Sequence, residues 1–297
     1  MNDTPDRFRR ALVFGGGGST GNAWMIGVVA GLSGAGLDVT AADLTIGTSA
    51  GATTAVQLAG LGPADLLAAI LAAAPRSTPG GSDRNRGPAR STTNHLERTN
   101  KIIAAAESAA DMRRRMGAAA LDLAAAADGS WQTQWHDTVA GRLPGDRWPD
   151  RRMLLTAVDA RTGEPVVFDR HCGVDLVDAV AASCSSGLPY RIDDVPYLDG
   201  GYRRNENADL ATGYDRVLVL SPFGGRSRHP QEWGMDLATQ VDELRAAGSR
   251  VETIVPDPDS EHLFGANAMN PSLCAPAARA GHLQGTALAG RLTEFWR

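Results

Sequence analysis

Twice within the first sixty residues the chain runs from a short apolar segment, through small residues, into an apolar stretch of helical length. "ALVF" at 11–14 passes through four glycines into "STGNAWMIGVVAGL", and "LTIGTS" at 44–49 passes directly into "AGATTAVQLAGL". Two successive strand-then-helix units of this size predict neighbouring parallel strands, right-handed connections, and helices laid on the sheet faces. The second helix consists almost wholly of small and apolar residues and is expected to be buried. The expected fold class is therefore α/β: a three-layer α/β/α sandwich with a mainly parallel central sheet.

The remaining patterns extend this frame. "RMLLTAVDARTGEPVVFD" reads as two strands around an Arg-Thr-Gly-Glu turn, and "VDLVDAVAASCSSGLP" as a helix ending in small polar residues. "RVLVLSPF" and "VETIVPD" are expected strands, with "QEWGMDLATQVDELRAAG" as a helix between them and "APAARAGHLQGTALAGRLTEFW" as the last helix. Residues 75–99 are rich in Pro, Gly, Ser and Arg and are expected to form a mobile surface loop. From about Asn100 to Ala127, apolar positions spaced by three and four trace a single helical stripe. The expected organisation is one domain over 1–297, with a helical insertion at about 62–150 that caps the site.

A chain of 297 residues can bury a large core unaided. With 29 basic and 34 acidic residues it lacks the positive field that nucleic acid selects, so no nucleic-acid partner is expected. Cys172, Cys184 and Cys274 form no Cys-x-x-Cys, which predicts neither a metal site nor a disulfide framework. The charged opening "MNDTPDRFRR" does not read as an export signal, so a cytoplasmic location is expected. The apolar run at 23–32 is too short to cross a bilayer, which leaves peripheral contact as the expected mode of any membrane association.

Two stretches carry chemistry. Gly16-Gly17-Gly18-Ser19-Thr20-Gly21 satisfies G-x-G-x-x-G after a strand, the spelling of a dinucleotide loop. The acidic residue that would hold a ribose at the end of the second strand is missing, because Gly47-Thr48-Ser49 stands there. The other use of such a loop is to aim backbone amides at a developing oxyanion. Ser49 lies in Gly47-Thr48-Ser49-Ala50-Gly51, a Gly-x-Ser-x-Gly turn that follows a strand and opens a helix, with Gly47 and Gly51 relieving crowding. Parallel strands end on one sheet edge, so the loop and the serine should be neighbours. An amide loop beside a nucleophile accounts for both.

A serine needs a base, and two are open. Among the six histidines, His262 and His282 fall late enough for a histidine triad, although His282 lies within a helical pattern. The alternative is Asp199 in "VPYLDGGYRRN", ahead of Gly200 and Gly201.

The glycine loop, Gly-x-Ser-x-Gly and Asp-Gly-Gly, in that order, resemble the patatin-like phospholipase family. The likeness continues through "AVAASCSSGLP" and "NADLA". It implies a lipid acyl hydrolase acting on a lipid or small acyl-ester substrate, without metal or cofactor. It implies Ser49 as nucleophile, Asp199 as the base of a histidine-free dyad, and oxyanion amides in the Gly16, Gly17 and Gly18 region. A free aspartate is a weak base at neutral pH, so the site has to raise its pKa by burial, with Arg203 and Arg204 turned away. Two positions depart from the family pattern: Thr20 replaces the usual arginine of the loop, and Ser185-Ser186-Gly187 stands where a proline is common. The competing readings are a silent lipid-binding protein, a histidine-dependent hydrolase and a dinucleotide enzyme. Arg113-Arg114-Arg115 reads first as a solvated face, and Trp131, Trp135 and Trp148 as ordinary packing.

Overall fold

The structure is a computed structural model that describes residues 8–73 and 92–297. In chain order the strands are β1 (Arg10–Phe14), β2 (Leu44–Gly47), β3 (Met153–Asp159), β4 (Pro165–Phe168), β5 (Tyr190–Ile192), β6 (Val195–Asp199), β7 (Arg216–Leu220) and β8 (Arg250–Ile254). The α-helices are α1 (Gly18–Gly34), α2 (Ala50–Gly60), α3 (Pro63–Ala72), α4 (Thr92–Ala105), α5 (Ala109–Ala125), α6 (Ser130–Ala140), α7 (Leu176–Ser183), α8 (Leu237–Ala246) and α9 (Cys274–Trp296).

One sheet runs through the molecule in the order β5-β6-β3-β2-β1-β7-β8, with β4 on the other edge of β3. The pairs β3-β2, β2-β1, β1-β7 and β7-β8 are parallel. The strand β6 pairs antiparallel with β3 and with β5, and β4 pairs antiparallel with β3. Alternate side chains of the central strands enter different cores. Leu12 and Phe14 face the core under α1, α2 and α9, while Ala11 and Val13 face the core under α8. This is the α/β/α sandwich expected from the sequence.

The closest helix pair is α1 against α9. A Cβ on Gly27 or Gly31 would run into the backbone of α9, and one on Gly281 or Gly285 into the backbone of α1. Small residues therefore let the two backbones touch, and Trp24 Nε1 closes the contact by donating to Gln284 Oε1 at 3.1 Å. In this way α9 holds the helix that begins at the glycine loop.

Three expectations are revised. The stripe at 100–127 is not one helix: it breaks after Ala105, and Ser108 starts α5 by accepting a hydrogen bond from the Asp111 amide at 3.2 Å. Ser108 with Asp111 three residues on is a capping signal that the continuing alanine pattern obscures. The last part of the expected loop at 75–99 is helical from Thr92, and positions 75–91 lie outside the described residues. The expected helix from Gln231 begins only at Leu237, because Gly234 takes a left-handed φ of 60° and Asp236 caps the new N-terminus. The three-residue strand β5 carries too short a pattern to be read beforehand.

Within 62–150 the elements serve different layers. α3 packs against α1 and α9, and α6 against α7, with Trp135 Nε1 donating to the Ala181 carbonyl. Trp148 donates likewise to Val174, and Trp131 stacks edge-on with Tyr190, so all three tryptophans pack structurally. Met112 and Met116 of α5 pack with Val158 and Leu198, at the β3–β6 end of the sheet. Of the arginine triplet, Arg113 is half-buried on the Gly163 carbonyl, and Arg114 and Arg115 reach Asp111. No single helix among the described residues is long and apolar enough to cross a membrane.

Candidate active site

The serine turn follows from close packing at the end of β2. Thr48 donates its amide to Phe14 O at 3.1 Å, which ties the turn to β1, and α2 starts at Ala50. A Cβ at Gly47 would lie 2.6 Å from Ala52 Cα, and one at Gly51 would collide with the Phe14 carbonyl. Only glycine at both places lets the helix begin against two strand ends. Ser49 itself has φ 54° and ψ −119°, a conformation that costs a non-glycine residue of order 1–3 kcal/mol and projects its side chain from a tight elbow. Two contacts hold it there: the Ser49 amide donates to Ser183 Oγ at 3.0 Å, and Cys184 Sγ donates to the Ser49 carbonyl at 3.1 Å.

Asp199 reaches the same point through register. Leu155 of β3 pairs with Gly47, and Ala157, two residues further, pairs with Asp199. Both partners occupy the edge of β3 opposite β4, so β6 runs head-on toward the end of β2 and its last residue faces the serine turn. The Asp199 amide donates to Ser185 O at 2.9 Å, and Gly201 donates its amide to Asp199 Oδ1 at 2.8 Å. The turn requires glycine at 200, where a Cβ would collide with Thr156. Ser185 also seals the end of α7 through its hydroxyl on Ala181 O, so Ser185-Ser186-Gly187 supports the aspartate without a proline.

Asp199 is 7% exposed, with the Ser49 side chain near enough to favour its charged form. Burial pushes its pKa up to about 6, against the Ser49 side chain and the Gly201 amide, which favour the carboxylate. Arg203 is paired with Asp209, and Arg204 with Asp209 and Glu243, so neither guanidinium opposes the rise. Nearby, burial and the Asp199 charge push the Cys184 thiol up to about 12, which keeps it a neutral donor.

The glycine loop lies beside the serine: a Cβ on Gly16 would stand 3.6 Å from Ser49 Cβ. Its amides are not equivalent. Gly15 and Gly16 donate to Leu220 O and Asn205 O, and Thr20 to Ala268 O, whereas Gly17 and Gly18 have no acceptor among the described residues. Of the three glycines expected to supply oxyanion amides, Gly16 thus has its own engaged. Thr20 is fully buried, and its hydroxyl has no partner among the described residues.

No histidine bonds to Ser49 among the described residues. His262 lies exposed in a short 3-10 segment at 258–263, and His282 sits within α9 beside Gly27 and Gly31. Beneath the site, Asn207 takes a left-handed φ of 53° and brings its Nδ2 within 3.0 Å of Thr48 Oγ1, 3.2 Å of Thr156 Oγ1 and 3.2 Å of Gly200 O, so one side chain ties the serine turn to the aspartate turn. Asn207, Ser183 and Asn205 escape a reading by motif because the partners that join them to the serine turn and the glycine loop are backbone groups or hydroxyls of distant elements. The only sequence signal for Ser183 and Asn207 is their place in the stretches "AVAASCSSGLP" and "NADLA".

Fold and site define an α/β/α protein with a strained serine at a strand-to-helix turn that faces a buried aspartate. A family model described as Patatin-like phospholipase matches residues 12–212, and the chain belongs to that family, whose members are generally hydrolases of lipid acyl esters. No curated protein matches the chain. Among solved structures, VipD from Legionella pneumophila is 12% identical over 97% of this chain and 67% of that one, with a TM-score of 0.42, which is a distant likeness.

Proposed function

We propose that the protein is a serine lipid acyl hydrolase, of phospholipase A or carboxylesterase type, working through a Ser49–Asp199 dyad. The observation that carries this reading is the meeting of the strained Ser49 turn with the buried end of β6, where the Asp199 carboxyl has its pKa raised to about 6. At neutral pH that group is mostly ionised, yet basic enough to take the serine proton as attack proceeds. Ser49 Oγ adds to the ester carbonyl while its proton passes to Asp199. The carbonyl oxygen becomes an oxyanion received by loop amides, those of Gly17 and Gly18 being unengaged among the described residues. Collapse expels the alcohol, which takes the proton from Asp199. Water, deprotonated by Asp199, then attacks the acyl-enzyme, and the acid leaves with Ser49 reprotonated.

A narrow cleft walled by Ile102, Met116, Ser186, Leu198 and Tyr202 brings α4 and α5 close to the strand and turn that carry Asp199. Peripheral contact with a lipid surface belongs to this reading. A fluorophosphonate should label the wild type and fail on Ser49→Ala. Asp199→Asn should lose turnover, and replacing each of the six histidines in turn should preserve it. Labelling that survives Ser49→Ala would sink the proposal.

A further inference from the structure

Asn205 grips both polar groups of Gly16. Its carbonyl accepts the Gly16 amide at 3.0 Å, and its Nδ2 donates to Gly16 O at 3.2 Å. The same Nδ2 lies 2.8 Å from Glu206 Oε1. Since both neighbours of that atom are acceptors, the amide can stand only one way round, with nitrogen toward Gly16 O and Glu206. Glu206 is 1% exposed and anchored in turn: Ser221 Oγ donates to its Oε1 at 2.7 Å and Gln240 Nε2 to its Oε2 at 3.3 Å. A buried carboxylate with three donors is thus spent on holding one asparagine.

The next peptide shows what the grip accomplishes. The Gly16–Gly17 bond is trans, so the Gly16 carbonyl and the Gly17 N–H point in opposite directions within one rigid plane. Drawing Gly16 O toward Asn205 therefore turns the Gly17 N–H away from it. Gly17 is buried, and its amide has no acceptor among the described residues, a state that buried amides rarely keep without a use. A flexible glycine peptide would otherwise rotate to satisfy itself. A Cβ on Gly16 would stand 2.6 Å from Asn205 Oδ1, so a larger residue here would push the Asn205 side chain out of its place.

We propose that Asn205, oriented by Glu206, is a positioning residue that fixes the Gly16–Gly17 peptide so that the Gly17 N–H serves as oxyanion donor. This role rests on the Ser49–Asp199 dyad. Asn205 touches no reacting atom, and its effect belongs to the transition state, where the donor meets full negative charge.

The test compares wild type with Asn205→Ala for ester hydrolysis and for affinity toward a trifluoromethyl ketone, which adds Ser49 and places an oxyanion in the same position. Removing one oxyanion donor outright costs about 100- to 1,000-fold in kcat, so misaligning it should cost roughly 10- to 100-fold. KM should stay within about 3-fold, and ketone affinity should fall in parallel with kcat/KM. If Asn205→Ala does not fold, Asn205→Ser, whose hydroxyl is too short for the grip, is read by the same criteria. A kcat within about 3-fold of wild type, or a fall in kcat with ketone affinity unchanged, overturns the inference. Wild type that no fluorophosphonate labels at Ser49 refutes the dyad instead, so the two failures are told apart.

Discussion

Ser49 and Asp199 arrive at one point from opposite kinds of sheet. The serine comes from the parallel half, where strand, turn and helix follow one another within a few residues and two glycines make the turn fit. The aspartate comes from the antiparallel end, where its place depends on β6 meeting β3 in one register, and β3 meeting β2 in another. The first geometry is local and strained. The second is long-range and relaxed, since Asp199 ends a regular strand, but it carries the electrostatic cost of a buried carboxylate.

That contrast can be broken from either side. The largest effect is expected from Asp199→Asn, which keeps the shape but removes the proposed base: kcat should fall by roughly 1,000- to 10,000-fold. The same variant tests the cost of burial. With its folded pKa raised from 3.8 to about 6, the native aspartate favours folding when protonated; that contribution is complete below about pH 4 and lost as pH rises through 6. The asparagine variant should therefore melt above wild type at pH 7, by up to about 3 kcal/mol of stability, and the gap should close near pH 4. An unchanged gap across this window would show that the carboxylate is not the strained partner.

Glycine substitutions come next. Gly51→Ala puts a methyl into the Phe14 carbonyl and Gly200→Ala puts one into Thr156, so each should destabilise by roughly 1–3 kcal/mol in urea unfolding, whereas Gly187→Ala, which meets open space, should be near neutral. The pH dependence of kcat/KM in wild type should then show an acid limb with its midpoint near 6, activity rising with pH as Asp199 ionises; a midpoint near 4 would mean an ordinary carboxylate. The smallest effect is on the serine side. At φ 54°, Ser49→Gly should be more stable than Ser49→Ala by about 1 kcal/mol, because only glycine relieves the elbow.

The same contrast explains how much was legible in the sequence. Both β-then-α units, the serine turn and the late strands were legible because each is written in a local period with glycines at its punctuation. Asp199 was visible only through company with the other motifs, since nothing in "VPYLDGG" states which strand it pairs with. Its raised pKa was expected on chemical grounds, yet the burial that produces it comes from β3, α7 and the serine turn together. Ser183, Asn205 and Asn207 were not legible as site residues, because a hydroxyl or amide that bonds partners 130 to 190 residues away leaves no pattern along the chain. The break before Ser108 was written in the sequence and overridden by alanines that continue the stripe in phase on both sides.

The contact between α1 and α9 has a consequence in time. The helix that leads out of the glycine loop rests its Trp24 and Val28 on glycines of α9, so its packing is complete only when residues 281–285 have been synthesised and have folded back. A partly made chain still on the ribosome would hold serine and aspartate turns but a loosely held loop between them. The full packing of the helix that follows the glycine loop would thus come only once α9 has emerged and docked.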